Sequence, residues 1–210
     1  VSGDTVYAGG TFTRIGGLPQ SRIVALRGSG SNLSCLSATS GRWTTSANWD
    51  ACGETTPMDG DNVTIGAGHT IVQYQSAALN DLTNNGGLFL PPLVTLSAEG
   101  AVANAGKLTH LLSAPNGATT SFGTLRNAAA SAVKYYGVDL TPAGDMGYTT
   151  VAIQGNQALC HGSDTLIKRC FDIAPTTAQN ATVRFWYLNA EKGTNTPATM
   201  QAYHFNGSSW

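Results

Sequence analysis

Short β-forming runs recur along the whole chain, and no segment sustains a helical period. DTVYAGG, RIVAL, NVTIGAG, HTIVQYQ, LVTLSA, TVAIQ, ATVRFWYL and MQAYHF are rich in Val, Ile, Thr and aromatic residues, and Gly, Asn, Pro or Asp bounds them. The best helical candidate is LRNAAASAVKYY, Leu125 to Tyr136, whose Ala-rich centre supports about two turns before it runs into the strand-like KYYGVDL. It reads as a short helix or a loop, and the chain as all-β.

Three zones follow from composition. Residues 1–30 form one unit that ends in the Gly- and Ser-rich RGSGSN. Residues 31–112 are Gly-punctuated short strands, and residues 113–210 carry longer ones. In the middle zone NVTIGAGHTIV and LNDLTNNGGLFL read as two rungs of a β-solenoid, in which each rung turns on Gly or Asn and pairs with its neighbours. Pro91-Pro92 is expected to break a third rung, which leaves a β-sandwich as the alternative there. In the last zone Val183, Phe185 and Tyr187 alternate with Arg184, Trp186 and Leu188. Apolar bulk on both faces predicts a central strand, within consecutive antiparallel strands of a β-sandwich.

Charged residues make up 11% of the 210, against about 25% in an ordinary soluble domain, so the surface is neutral and rich in hydroxyls and amides. The 11 basic and 12 acidic residues nearly cancel, and no basic cluster exceeds Lys168-Arg169. Nucleic acid is therefore excluded as a partner, because neutralising several phosphates needs many cations on one face. No apolar run reaches the roughly 20 residues of a membrane helix. The chain starts at Val1, as expected of a processed protein or a fragment of a longer one.

Four cysteines form two local pairs, Cys35 with Cys52 and Cys160 with Cys170, out of three connectivities. Neither pair has the spacing of a zinc site, so disulfides in an oxidising compartment are expected, with buried thiols as the alternative.

Chemistry is sparse. His69, His110, His161 and His204 are scattered, and no metal-binding, nucleophile-elbow, phosphate-loop or dinucleotide motif occurs. No catalytic residue, metal or cofactor is assigned. Glycoside cleavage needs two carboxylates about 5 to 10 Å apart. The candidates are Asp59 with Asp61, Asp139 with Asp145, or Glu191, and Asp59 and Asp61 are explained by the DGDN turn itself. Calcium on the same oxygens lacks the longer acidic series of a calcium loop. Aromatic platforms for sugar rings are the stronger binding idea, with Trp186, Tyr203 and Trp210 as stacking candidates near Tyr187.

Three local resemblances complete the reading. DTVYAGGTFTRIGGLPQSRIVAL resembles one repeat of large bacterial extracellular β-propeller families, through Tyr7, Gly9, Gly10, Phe12, Ile15, Gly16, Gly17, Ala25 and Leu26. GRWTTSANWDACGETTPMDGDNVTIGAGHTIV is similar to the opening segment of bacterial surface β-solenoids, through Trp43, Trp49, Pro57, Gly60, Asp61, Val63, Ile65, Gly68 and Ile71; the further rungs expected after Leu90 are missing from the pattern. The tail resembles a segment near the ends of secreted multi-repeat bacterial proteins, through Arg169, Phe171, Ile173, Pro175, Ala181 to Phe185, Tyr187 and Trp210.

These resemblances imply an extracellular or cell-surface structural or adhesive protein, not an enzyme. A lone propeller-like unit has unpaired strand edges, so a homo-oligomer or filament is expected, with Val6, Tyr7, Phe12, Ile23 and Val24 as subunit-contact candidates. A carbohydrate-binding or adhesive module of a larger secreted protein is the alternative.

Overall fold

The computed structural model describes the strand backbones 5–9, 14–15, 18–19 and 23–27, then residues 33–53, 55–126, 133–135, 137–155 and 167–202. Among them there is no α-helix, only single 3-10 turns at Ser46–Asn48, Asn189–Glu191 and Pro197–Thr199. The chain is all-β. The expected helix-or-loop at Leu125 to Tyr136 has strands at both of its ends; residues 127–132 lie outside the described set.

At the N-terminus β1 (Thr5–Gly9), β2 (Arg14–Ile15), β3 (Leu18–Pro19) and β4 (Ile23–Arg27) make two small antiparallel pairs. β1 pairs with β4 from Thr5 opposite Arg27 to Gly9 opposite Ile23, and β2 with β3. Backbone places Val6, Tyr7, Ile23 and Val24 on this pair, while Phe12 lies outside the described residues.

The next strands are β5 (Ser34–Ser37), β6 (Gly41–Arg42), β7 (Trp49–Asp50), β8 (Asn62–Ile65), β9 (Thr70–Val72), β10 (Ala77–Leu79), β11 (Leu82–Asn84), β12 (Gly87–Leu90), β13 (Leu96–Ala98), β14 (Val102–Asn104) and β15 (Lys107–Ser113). They pair in parallel in three ladders: β5-β8-β11-β14, β6-β9-β12-β15 and β10-β13. Cys35, Val63, Leu82 and Val102 stand side by side, as do Ile71, Leu88 and Leu108. Successive parallel partners in these ladders lie about 20 residues apart in sequence, the scale of a stacked structural repeat.

Alternation explains why these short segments form strands. β8 and β12 bury every second residue, and β11 buries both of its ends. Ile65, Ile71 and Leu79 are fully buried, and Leu82, Leu88 and Leu108 nearly so, so each turn supplies apolar side chains to one continuous interior. One corner brings backbones unusually close. A Cβ on Gly86 would lie 2.3 Å from the carbonyl oxygens of Gly66 and His69, and one on Gly106 would lie 2.1 Å from the Gly86 oxygen. Only glycine fits where successive turns touch in this way.

Pro91-Pro92 does not interrupt the parallel pairing. Both prolines sit between β12 and β13, and β13 resumes parallel pairing with β10. A corner does not need the N–H that proline lacks, so the expected break is absent. Parallel strand pairing thus continues after Leu90, where the motif pattern ends.

One end of the stack is closed. β7 turns back to pair antiparallel with β5, with Trp49 opposite Ser37. Trp43 and Trp49, both buried, meet edge to face with ring centres 5.0 Å apart. Cys35 and Cys52 form a disulfide at the same end, as the local pairing predicts. Cys170 is also disulfide-bonded; Cys160 lies outside the described residues.

Beyond β15 come β16 (Thr120–Phe122), β17 (Leu125–Arg126), β18 (Val133–Tyr135), β19 (Val138–Pro142), β20 (Tyr148–Gln154), β21 (Cys170–Pro175) and β22 (Ala181–Phe185). β20 pairs antiparallel with β15 and then with β21, so one six-stranded sheet is parallel from β6 to β15 and antiparallel from β15 to β21. A second sheet has the order β16-β19-β22, all antiparallel. It packs over the first through Phe122 against His110 and Phe185 against Phe171, whose ring centres are 6.1 and 4.8 Å apart.

The strand expected to be central, β22, is instead at the edge of that sheet. Its one partner among the described residues is β19, and Thr182 to Phe185 are exposed. β21 and β22 follow each other in sequence but belong to different sheets. Alternation of large residues cannot distinguish a covered strand from an edge strand whose inner side chains reach only the rim of the core.

Candidate functional site

The nominated carboxylates are committed to the fold. Asp61 is fully buried; its Oδ1 accepts the Leu33 N–H at 3.0 Å and its Oδ2 the Met58 N–H at 2.8 Å. Asp59 accepts the Ala78 N–H one turn on, at 2.8 Å, and Asp145 accepts the N–H of Gly147 in its own turn. The DGDN turn is thus a corner clasp: the bond to Met58 is local, as a turn aspartate favours, while those to Leu33 and Ala78 cross to other segments.

Glu191 forms a two-nitrogen ion pair with Arg169, at 3.1 Å from Nε and 2.8 Å from Nη2. Arg169 is buried, stacks on the Tyr135 ring at 4.2 Å and donates to the Trp186 carbonyl at 2.8 Å. It ties β18 to the segments flanking β21 and β22. Burial, opposed by the Arg169 charge, pushes the Tyr135 hydroxyl's pKa up. Among the described residues no three His, Cys, Asp or Glu gather as metal ligands. His69 is bonded to Ser37 at 2.8 Å. His110 is buried between the two sheets, where its Nδ1 accepts the Gly123 N–H at 3.0 Å and burial lowers its pKa to about 4. His161 and His204 lie outside the described residues.

The outer face of the β16-β19-β22 sheet is different. Along β19, Val138, Leu140 and Pro142 are buried, so Asp139 and Thr141 point away from the core. In register, Ser121, Asp139 and Arg184 form one row across the sheet, and Thr141 with Thr182 belongs to the next. Thr119 joins that second row through a 2.8 Å bond to the Thr141 hydroxyl. Asp139 accepts from the Ser121 hydroxyl on Oδ1 at 2.8 Å and from the Trp186 indole on Oδ2 at 3.1 Å. Thr119, Asp139, Thr141, Thr182 and Arg184 line a shallow cavity of about 80 Å³.

Of the three stacking candidates, Trp186 is held at this face by Asp139 and by Arg184, whose guanidinium lies 5.7 Å from its ring centre. Tyr203 and Trp210 lie outside the described residues, so no aromatic cluster is placed here. The hydroxyls escaped notice in the sequence because Thr and Ser at alternate positions are ordinary in strands. The signal was present in VDLTP and ATVRF, where every second residue is polar.

No protein-family model, curated protein or solved structure matches this chain. Function must be argued from the arrangement itself.

Proposed function

We propose that the chain is a structural module of an extracellular bacterial surface protein, in which residues 31–112 form a β-solenoid and residues 113–210 a β-sandwich sharing β15. The observation that carries this reading is the parallel stack itself, clamped at its first turn by the Trp43–Trp49 pair and the Cys35–Cys52 disulfide. A disulfide suits an oxidising compartment, and a repetitive stack with so few charges suits a scaffold. Asp59, Asp61, Asp145 and Glu191 each accept bonds from backbone or arginine donors that hold the fold together, which supports a non-enzymatic role.

Copies associate, in this reading, through the β1–β4 pair, a two-stranded sheet by itself among the described residues. End-to-end growth from the first turn of the stack is disfavoured because β7 and the tryptophan pair cover it. Light scattering over a concentration series tests the association: mass should rise with concentration, and fall to the monomer when residues 1–28 are removed. A monomer at every concentration would refute the self-assembly.

A second reading, a carbohydrate-binding or adhesive module, is favoured by the hydroxyl-lined face around Asp139 and Arg184.

A further inference from the structure

We propose that the outer face of the β16-β19-β22 sheet binds a neutral polysaccharide chain, with Arg184 and Asp139 as its central polar pair and Thr119, Thr141 and Thr182 along its floor. The inference rests on the second reading above and gives it a site.

Arg184 decides the matter. It stands directly opposite Asp139 in the register, yet no ion pair joins them, and its guanidinium has no hydrogen-bond partner among the described residues. Held over the Trp186 ring instead, it presents five N–H donors that meet no acceptor among the described residues. Each Asp139 oxygen accepts one bond from the protein, which leaves a lone pair on each for an incoming donor. A donor fork and an acceptor pair lie side by side, and vicinal hydroxyls of a sugar supply both complements at once.

Charge narrows the ligand class. One carboxylate and one guanidinium cancel, and the remaining lining is hydroxyl, so the face attracts neither polyanions nor cations strongly. Shape narrows it again. A cavity of about 80 Å³ is far below the roughly 300–1,000 Å³ that enclose a small-molecule ligand. The ligand therefore lies along the surface and dips single hydroxyls into the groove, as a polymer does. Thr182 and Arg184 are exposed on an edge strand, so they are accessible to a chain lying along the surface.

Affinity electrophoresis of the whole chain through gels holding hydroxyethylcellulose, galactomannan or xylan tests this, with mobility referred to a polymer-free gel and polygalacturonate as the anionic control. At least one neutral polymer should retard the protein. Arg184→Ala and Thr182→Leu, both at exposed positions, should each weaken retardation about fivefold, the loss of roughly one hydrogen bond. Retardation that survives both variants would overturn the site while leaving a carbohydrate-binding module standing. No retardation by any neutral polymer, or retardation by polygalacturonate alone, would overturn both.

Discussion

Trp49 donates its indole N–H to the main-chain carbonyl of Trp43 at 2.7 Å, while Trp43 donates its own to the carbonyl of Pro57 at 3.2 Å. The two large rings thus satisfy their polar atoms on backbone and spend their faces on closing the stack. Trp43 also donates its main-chain N–H to the Val72 carbonyl of β9, the parallel partner of β6, which fixes the cap to the next strand of that ladder.

Truncating this cap opens the interior. Trp49→Ala removes a buried aromatic and should cost about 3–5 kcal/mol, the range for large-to-small aromatic core changes. Chemical denaturation of the oxidised protein measures it; a loss under 1 kcal/mol would mean the first turn does not need its cap.

Asp61 joins the segment before β5 to the turn before β8. Asp61→Ala leaves the N–H groups of Leu33 and Met58 without their acceptor, at about 1 kcal/mol for each hydrogen bond lost. Asp61→Asn keeps one acceptor oxygen and should lose less. Equal losses for the two variants in thermal unfolding would argue against the clasp.

Gly106 tests the close approach of turns. In Gly106→Ala the new methyl would lie 2.1 Å from the Gly86 oxygen, so backbone must shift, at about 1–3 kcal/mol for overpacking. Gly117→Ala is the contrasting variant, because nothing lies within 4 Å of its Cβ and only its positive φ of 70° opposes the change. If Gly106→Ala unfolds no earlier in denaturant than the native chain, the turns are not in contact at this corner.

His110 gives a pH dependence. Burial lowers its folded pKa to about 4 from the ordinary value near 6.5, so the unfolded chain takes up the proton first as pH falls. Stability is unaffected above pH 6.5 and is lost progressively from there down to about pH 4, by up to about 3 kcal/mol. Carboxylates titrate in the lower part of that window, so the native curve is compared with that of His110→Gln. The variant should lose less stability between pH 6.5 and 5; parallel curves would contradict the buried neutral imidazole.

Much of the stack was legible in the residues. The tryptophan pair, the DGDN turn and the Cys35–Cys52 pairing are local, and local chemistry reads well from sequence. The recurrence of Gly66, Gly86 and Gly106 at one corner is not local, and only the close approach of their backbones brings it out. The prolines obscured it, because Pro91-Pro92 argues against a strand and says nothing of the corner where it sits. Partner choice was not legible. β15 pairs in parallel with β12 on one side and antiparallel with β20 on the other, and an alternating pattern fixes which face is buried, not which strand lies alongside. The same ambiguity put β22 in the middle of a sheet whose edge it forms. The Asp139–Arg184 row was hidden for a related reason, since its members come from three strands aligned only by folding.

Interstrand nuclear Overhauser contacts of Thr83 report on the parallel stack itself. Thr83 should show backbone contacts to Thr64 of β8 on one side and to Ala103 of β14 on the other. Antiparallel contacts from Thr83 to Gly87–Leu90 would instead describe a local hairpin, and the stacked scaffold would be wrong.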